Sequence, residues 1–246
     1  MKPILFNTEM VRAILEKTKT MTRRAIKNIG NDLMYFQDTW SDGKQQACFM
    51  GGKEPVYVNY PYGIGDILYV RETWKVGTWT NGCMKVAIDY KAGRHEKTDW
   101  INTFGNHNKL LEQNIEDCRK AKLINVESGM TYQEECDKGL LFDEQYKWEV
   151  GDSPCRWRPS IHMPKKYARI FLIVTDVRVE RLQDISDEDC IAEGITWHPP
   201  IGHNDPTDDV TEKEVFQGLW NSTAKDGYKW EDNPYVFVYE FERVEK

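Results

Sequence analysis

The spacing of apolar residues at the start of the chain predicts a strand and then a helix. Residues 3–6 form a short apolar run. Helical spacing follows in four apolar residues, which are Met10, Val11, Ile14 and Leu15. Asn7 or Thr8 can cap the N-terminus of this helix, and we expect the helix to end near Lys17.

The segments that follow predict strands separated by irregular stretches. Residues 17–24 are rich in threonine, which favours a strand over more helix. Residues 28–60 contain many Gly and Asn and predict a loop, whereas residues 67–74 predict a strand. Residues 75–150 have weak periodicity, so we interpret them as an insertion with a short strand over 84–90 and a helix over 110–118.

The last third of the chain has a clearer pattern. Residues 168–174 are apolar on both faces, which is typical of a central strand. Ser186 and Thr211 each begin a capping motif for a short helix, and Gly194 ends the first of these helices. Residues 235–241 alternate aromatic and valine positions, as a strand does. Separate strands joined by short helices predict an α+β fold with a small β-barrel.

Composition narrows the class of protein. The 246 residues are 40% apolar, which is enough for a core, and 33 basic minus 40 acidic residues give a net charge of −7. A uniformly basic nucleic-acid coat protein is excluded, although a local basic groove is not. No apolar run reaches the roughly 18 residues of a membrane span, and the N-terminus turns polar too early for a signal peptide. We therefore expect a soluble, intracellular protein.

The six cysteines form no C-x-x-C pair, so we expect free thiols in a reducing compartment. Cys155 and His162 lie seven positions apart, and a zinc site could use them. The alternative is a small buried thiol beside a hydrogen-bonded histidine. We predict neither a metal nor a cofactor.

A basic strip is the first candidate for chemistry. Five cationic residues fall within eleven positions, with no acid among them: Lys17, Lys19, Arg23, Arg24 and Lys27. Cationic side chains with interleaved threonine hydroxyls suit phosphate contacts. The alternative is a solvated edge strand whose lysines block aggregation.

Two further features of the sequence are not explained by the packing of a hydrophobic core. Glu193 lies in the last turn of its helix, against the helix dipole, so it is either a general acid or base or an exposed residue of small cost. Residues 156–167 mix aromatic, basic and proline positions. Trp157 could stack on a base while Arg158 meets phosphate, or the segment could be a rigid crossover with Trp157 in the core.

Several motifs, in a shared order, resemble the ASCH domains of the PUA-like superfamily. Residues 14–24 look like the opening signature, in which a helix ends in G-x-K-T-x-T-x-R. Gly65-Asp66-Ile67-Leu68 resembles the G-D-x-L strand start, and Ile191-Ala192-Glu193-Gly194 resembles the helix that ends in E-G. The closing strand over 235–241 also matches. The nearest resemblance is to the longer ASCH proteins encoded by bacteriophages and prophages.

This resemblance implies a fold, a location and a ligand class. The domain would consist of residues 1–74 and 155–246, a small β-barrel flanked by helices, with 75–154 as the insertion. It would work in the cytoplasm of a bacterial host cell and bind RNA or a modified nucleobase. The nucleic-acid-binding residues would be Lys17, Lys19, Arg23, Arg24, Trp157 and Arg158.

Two other functions stay open. One branch of the family hydrolyses N4-acetylcytidine, and its catalytic set corresponds here to Lys19, Thr22 and Glu193. In a regular strand Lys19 and Thr22 point to opposite faces, so they converge only if the chain bends near Thr20. The chain also departs from that branch in its length and in having Lys17-Thr18 where a Gly-Arg pair is typical. In the third reading, the protein is a phage accessory protein whose insertion binds a host protein.

Overall fold

The structure is a computed structural model. It describes residues 1–27, 29, 35–41, 45–51, 54–80, 84–93, 100–103, 105, 107–121, 130, 134, 151–195 and 210–244. The chain has two compact units. Unit 1 consists of Met1–Lys2, Ala13–Tyr69 and Ile170–Lys246, and unit 2 of Pro3–Arg12 and Val70–Arg169. Helices and strands are mixed along the chain, which confirms the predicted α+β class.

The elements are numbered in chain order. The strands are β1 Lys2–Leu5, β2 Met21–Ala25, β3 Tyr35–Ser41, β4 Gln45–Met50, β5 Val56–Asn59, β6 Ile67–Arg71, β7 Trp74–Thr80, β8 Lys85–Tyr90, β9 Ile101–Asn102, β10 Phe171–Arg181 and β11 Tyr235–Arg243. The α-helices are α1 Thr8–Leu15, α2 His107–Ala121, α3 Asp187–Ala192 and α4 Glu212–Thr223. None of the helices that the structure describes is both long and apolar enough to span a bilayer.

The largest sheet is built around β10, as its two apolar faces predicted. Its strand order is β1-β6-β10-β11-β2. The β10–β11 pair is antiparallel and long, running from Leu172 opposite Arg243 to Arg181 opposite Tyr235. Strand β2 is antiparallel to β11, with Arg23 opposite Val238. Over the described residues no sheet closes on itself, so the barrel is not part of the observed fold.

The prediction of a loop over residues 28–60 is wrong for the part of that segment that is described. Strands β3, β4 and β5 form an antiparallel three-stranded sheet there. Ala47 and Phe49 are fully buried, and the Phe49 ring lies 5.1 Å from that of Tyr235. A few alternating apolar positions in β4 suffice to anchor a strand, and counting Gly and Asn over the whole segment concealed them.

Local capping chemistry positions the helices of unit 1. The Asp189 backbone N–H donates to the Ser186 hydroxyl at 3.1 Å, which begins α3 as predicted. Thr211 begins α4 with a complete capping box, in which Glu214 accepts from the Thr211 backbone at 2.8 Å. Helix α4 then packs Phe216 on an apolar cluster that contains Leu182 and the β11 residues Val236 and Val238.

The end of α3 requires glycine. Gly194 has φ +87°, a conformation that residues with a Cβ disfavour. A Cβ at this position would lie 2.9 Å from the Cβ of Ala13 and 3.0 Å from the Cβ of Lys19. The chain segments around these three residues can therefore approach only because position 194 lacks a side chain.

Replacing Gly194 should destabilise the fold through both effects. We expect Gly194→Ala to lower the free energy of unfolding by about 3 kcal/mol, from left-handed strain and from steric overlap. The matched control is Gly227→Ala, because Gly227 has φ +81° and open space around the added Cβ. This control should lose about 1 kcal/mol from strain alone. Urea unfolding measures both, and equal losses would contradict the close approach at Gly194.

Candidate functional site

A buried ion pair joins two segments that lie far apart in the sequence. The Lys19 Nζ donates to the Glu193 Oε2 at 2.6 Å and to the Glu193 backbone oxygen at 2.7 Å. The two residues are 2% and 5% exposed, so the pair is shielded from water. Their backbones form a β-bridge, and the Thr20 N–H donates to the Ala192 oxygen at 2.8 Å. The structure thus brings two of the predicted site residues into contact.

Arg23 binds the same carboxylate from the adjacent strand. Its Nη1 donates to the Glu193 Oε1 at 3.3 Å. Its Nη2 donates to the Glu180 Oε1 at 2.6 Å and also to Asp189. Arg23 is 4% exposed, so it is a buried cation that three carboxylates surround. Such complete pairing is what a buried guanidinium requires.

Arg178 extends this network along β10. Its Nη2 donates to the Asp189 Oδ2 at 2.9 Å, and its Nη1 donates to the Glu240 Oε1 at 2.6 Å. Its Nε also reaches Glu180 at 3.2 Å. Sequence reasoning missed these partners. The signal was available in the alternating charges at positions 178 and 180, which a strand places on one face.

Burial changes the pKa of the Lys19 ammonium. The pKa of Lys19 is lowered from its ordinary value because burial removes water from the charged form. The Glu193 carboxylate opposes this change by its charge and its hydrogen bond, while Arg24 and Arg23 add to it. Lys19 is therefore easier to deprotonate than a lysine in water, while remaining in contact with a carboxylate.

Thr22 and Arg24 occupy the other face of β2. Thr22 is buried and lies opposite Tyr239 in the register with β11. Burial lowers the pKa of Arg24, and the fields of Tyr62, Glu193 and Tyr239 oppose this effect. The rings of Tyr62 and Tyr239 meet edge to face, with centroids 5.1 Å apart. Glu193 therefore interacts with cations from both faces of the strand.

A cleft of about 230 Å³ lies beside Lys19. Its apolar lining comes from α1, β10 and β11, and its polar lining from the turn after α1 and the end of β11. The lining residues are Ile14, Lys17, Lys19, Thr20, Leu172, Phe241, Glu242 and Arg243. The Thr20 backbone closes one side, since its oxygen accepts from the Phe241 N–H at 2.9 Å. The cleft and the buried ion pair thus share Lys19.

Trp157 and Arg158 belong to unit 2. The Arg158 backbone pairs with Trp74, its guanidinium lies 5.2 Å from the centre of the Trp74 ring, and its Nη1 donates to Gln113 at 2.8 Å. Trp157 is 39% exposed, with the Lys75 Nζ 4.9 Å from its ring centre. The alternative with Trp157 in the core is therefore wrong, whereas Trp74 and Trp79 are both buried. Binding of nucleic acid by Trp157 and Arg158 stays a prediction.

Two cysteines in the described part of the chain have thiols that are buried and difficult to ionise. Cys155 is a free, buried thiol, and burial raises its pKa to about 11. His162 is exposed at the end of a short 3₁₀ turn. Cys190 behaves as Cys155 does, with its pKa raised to about 11 by burial. Among the described residues no three His, Cys, Asp or Glu side chains group as metal ligands would.

Comparisons with known proteins do not identify a relative. No protein-family model matches the chain, and searches of the curated proteins and of the solved structures return no match. The functional argument therefore rests on the residues of the site and on the motifs of the sequence.

Breaking the buried ion pair should cost far more than breaking an exposed one. We expect Lys19→Met or Glu193→Gln to lower the free energy of unfolding by about 3–5 kcal/mol, because each leaves a buried partner unpaired. The double variant should lose less than the sum of the two. Removing the exposed pair of Lys2 and Asp66 by Lys2→Met should cost less than about 1 kcal/mol. Denaturant unfolding tests this, and additive losses would show that the pair is not coupled.

Proposed function

We propose that unit 1 is an ASCH domain of the PUA-like superfamily and that its cleft binds one modified nucleobase. The proposal includes the small β-barrel of that family, of which the five-stranded sheet would form one wall. The observation that carries it is that Lys19, which pairs with Glu193 out of contact with water, also lines a cleft. Two of the motifs on which the resemblance depends, residues 14–24 and Ile191-Ala192-Glu193-Gly194, meet at this pair.

The dimensions of the cleft favour a single base or nucleoside. Pockets for drug-sized ligands occupy roughly 300–1,000 Å³, and this cleft of about 230 Å³ is smaller. Its apolar lining from Ile14, Leu172 and Phe241 suits the face of a planar base. The polar groups of Thr20 and Glu242 can pair with the edge of that base.

The charge distribution favours base recognition over contacts along an RNA backbone. Phosphate binding requires exposed cations, because the contacts replace mobile counterions. Lys19 and Arg23, from the middle of the basic strip, are buried and paired with carboxylates. A base held in a cleft needs no such strip, so its affinity should depend only weakly on salt.

Obstructing the cleft should abolish binding. The test is equilibrium titration of the full chain with N4-acetylcytidine, cytidine and a single-stranded RNA, each at two salt concentrations. We expect the modified nucleoside to bind with the highest affinity. This affinity should change little between about 50 and 200 mM salt, a range over which binding through phosphate contacts weakens steeply. Thr20→Arg should remove this binding, because Thr20 is exposed and lines the cleft.

The matched control is Thr175→Arg, which places the same bulk at an exposed position of β10 outside the cleft lining. It should bind as the wild type does. Tight RNA binding with a steep salt dependence, unaffected by Thr20→Arg, would contradict the proposal and favour an extended RNA surface.

Hydrolysis is the second candidate, and the lowered pKa of Lys19 beside Glu193 favours it. In N4-acetylcytidine the amide C–N bond would break, and water would supply the oxygen of the acetate product and the proton of the amine. The resemblance assigns the attacking hydroxyl to Thr22, which is buried and would have to be exposed to the cleft. Deprotonated Lys19 would accept the proton of this hydroxyl as it attacks the carbonyl, and the acyl group would then pass from Thr22 to water. Glu193 would transfer the proton to the leaving nitrogen.

An assay for acetate release from N4-acetylcytidine separates hydrolysis from binding alone. If the chain is a hydrolase, the rate should rise with pH through a pKa below the 10.5 of an ordinary lysine, because deprotonated Lys19 is the active form. Lys19→Ala and Glu193→Ala should each lower turnover by about 100-fold or more. Lys27→Ala, at an exposed position, should have no effect. Turnover that neither site variant changes would exclude this mechanism.

A further inference from the structure

Lys17 adopts a backbone conformation that is unfavourable for lysine. Its φ is +64°, in the left-handed region, and it stands two positions after Leu15, the last residue of α1. The backbone closes the helix there, with the Lys17 N–H donating to Ile14 at 3.2 Å and the Thr18 N–H donating to Ala13 at 2.9 Å. Glycine is the residue that this position favours, because a Cβ is strained in this region. Lysine therefore costs stability here.

The side chain that causes this strain faces a ligand-sized space. Lys17 is exposed and lines the cleft, and so does Arg243 from the end of β11. A lysine at a helix C-terminus is stabilised slightly by the helix dipole. This stabilisation is the same at any helix end, so it does not explain why the lysine lies beside a cleft. Strained residues that persist beside a cavity point to a role in binding.

The charge at this cleft differs from that of the whole protein. The chain carries a net charge of −7, yet the two cations Lys17 and Arg243 stand at the cleft against one acid, Glu242. Lys19 does not add to this free charge, because Glu193 pairs with it. Two exposed cations and one acid in the lining leave an excess of positive charge, which suits a monoester phosphate that carries close to two negative charges at neutral pH.

We propose that Lys17 and Arg243 bind the phosphate of a nucleotide whose base occupies the cleft. The preferred ligand of unit 1 is then a nucleoside monophosphate rather than a free nucleoside. This inference rests on the proposed function for the identity of the base, whereas the phosphate site itself rests on Lys17 and Arg243.

The variant Lys17→Gly separates the two roles of this residue. It relieves the strain, so Tm should rise by about 2–4 °C. It also removes a phosphate contact, so affinity for N4-acetylcytidine 5′-monophosphate should fall about tenfold or more. Affinity for N4-acetylcytidine should stay unchanged. Lys17→Arg keeps the charge and should keep the affinity for the monophosphate.

Inorganic phosphate provides a probe that does not depend on the base. At constant ionic strength, phosphate should raise the Tm of the wild type and of Lys27→Gly, a control at an exposed lysine outside the cleft lining. It should raise the Tm of Lys17→Gly less.

The outcomes distinguish this inference from the proposed function. Equal affinity of the wild type for the nucleoside and its monophosphate would overturn the phosphate site and leave base recognition intact. If neither compound binds while phosphate still protects the wild type more than Lys17→Gly, base recognition fails and the phosphate site stands. A Lys17→Gly variant that gains stability and loses no affinity for the monophosphate or for inorganic phosphate would show that Lys17 is only a helix-end residue.

Discussion

The contact between Lys19 and Glu193 is the interaction on which the rest of unit 1 depends. It links the segment just before β2 to the residue that follows α3 across 174 positions of sequence. Removing two charges from water is costly, and the cost is offset only because hydrogen bonds from Lys19 and Arg23 reach both carboxylate oxygens. Gly194 makes the contact sterically possible, since any side chain there would collide with the stem of Lys19.

Strand alternation distributes the basic strip among different environments. Arg23 points to the side where β10 and α3 supply carboxylates, whereas Arg24 lies on the other side near the phenols of Tyr62 and Tyr239. Lys17 precedes the strand and stays exposed at the cleft. A strip that looks continuous in the sequence is therefore not a continuous cationic surface, and this favours a small ligand over a polyanion.

Two lysines of the site carry an energetic cost that other interactions must offset. Lys19 gives up hydration, which shifts its pKa, and Lys17 adopts a backbone conformation suited to glycine. Both residues line the same cleft. Sites that bind or react commonly retain such costs because the same features hold charged groups in a fixed arrangement.

The sequence alone determined the elements whose signals are local. Capping residues such as Ser186 and Thr211 placed the helices, and the doubly apolar run in β10 placed the central strand, because these signals need only neighbouring residues. The fold class followed from the order of the elements. The sheet formed by β3, β4 and β5 was missed, because a few buried apolar positions are enough to form strands even where the composition of the segment is polar. Only the tertiary structure decided which acids surround Arg23 and where Lys17 points. Contacts between residues more than 150 positions apart depend on how strands pair and how a single glycine lets segments approach, and no local spacing encodes either.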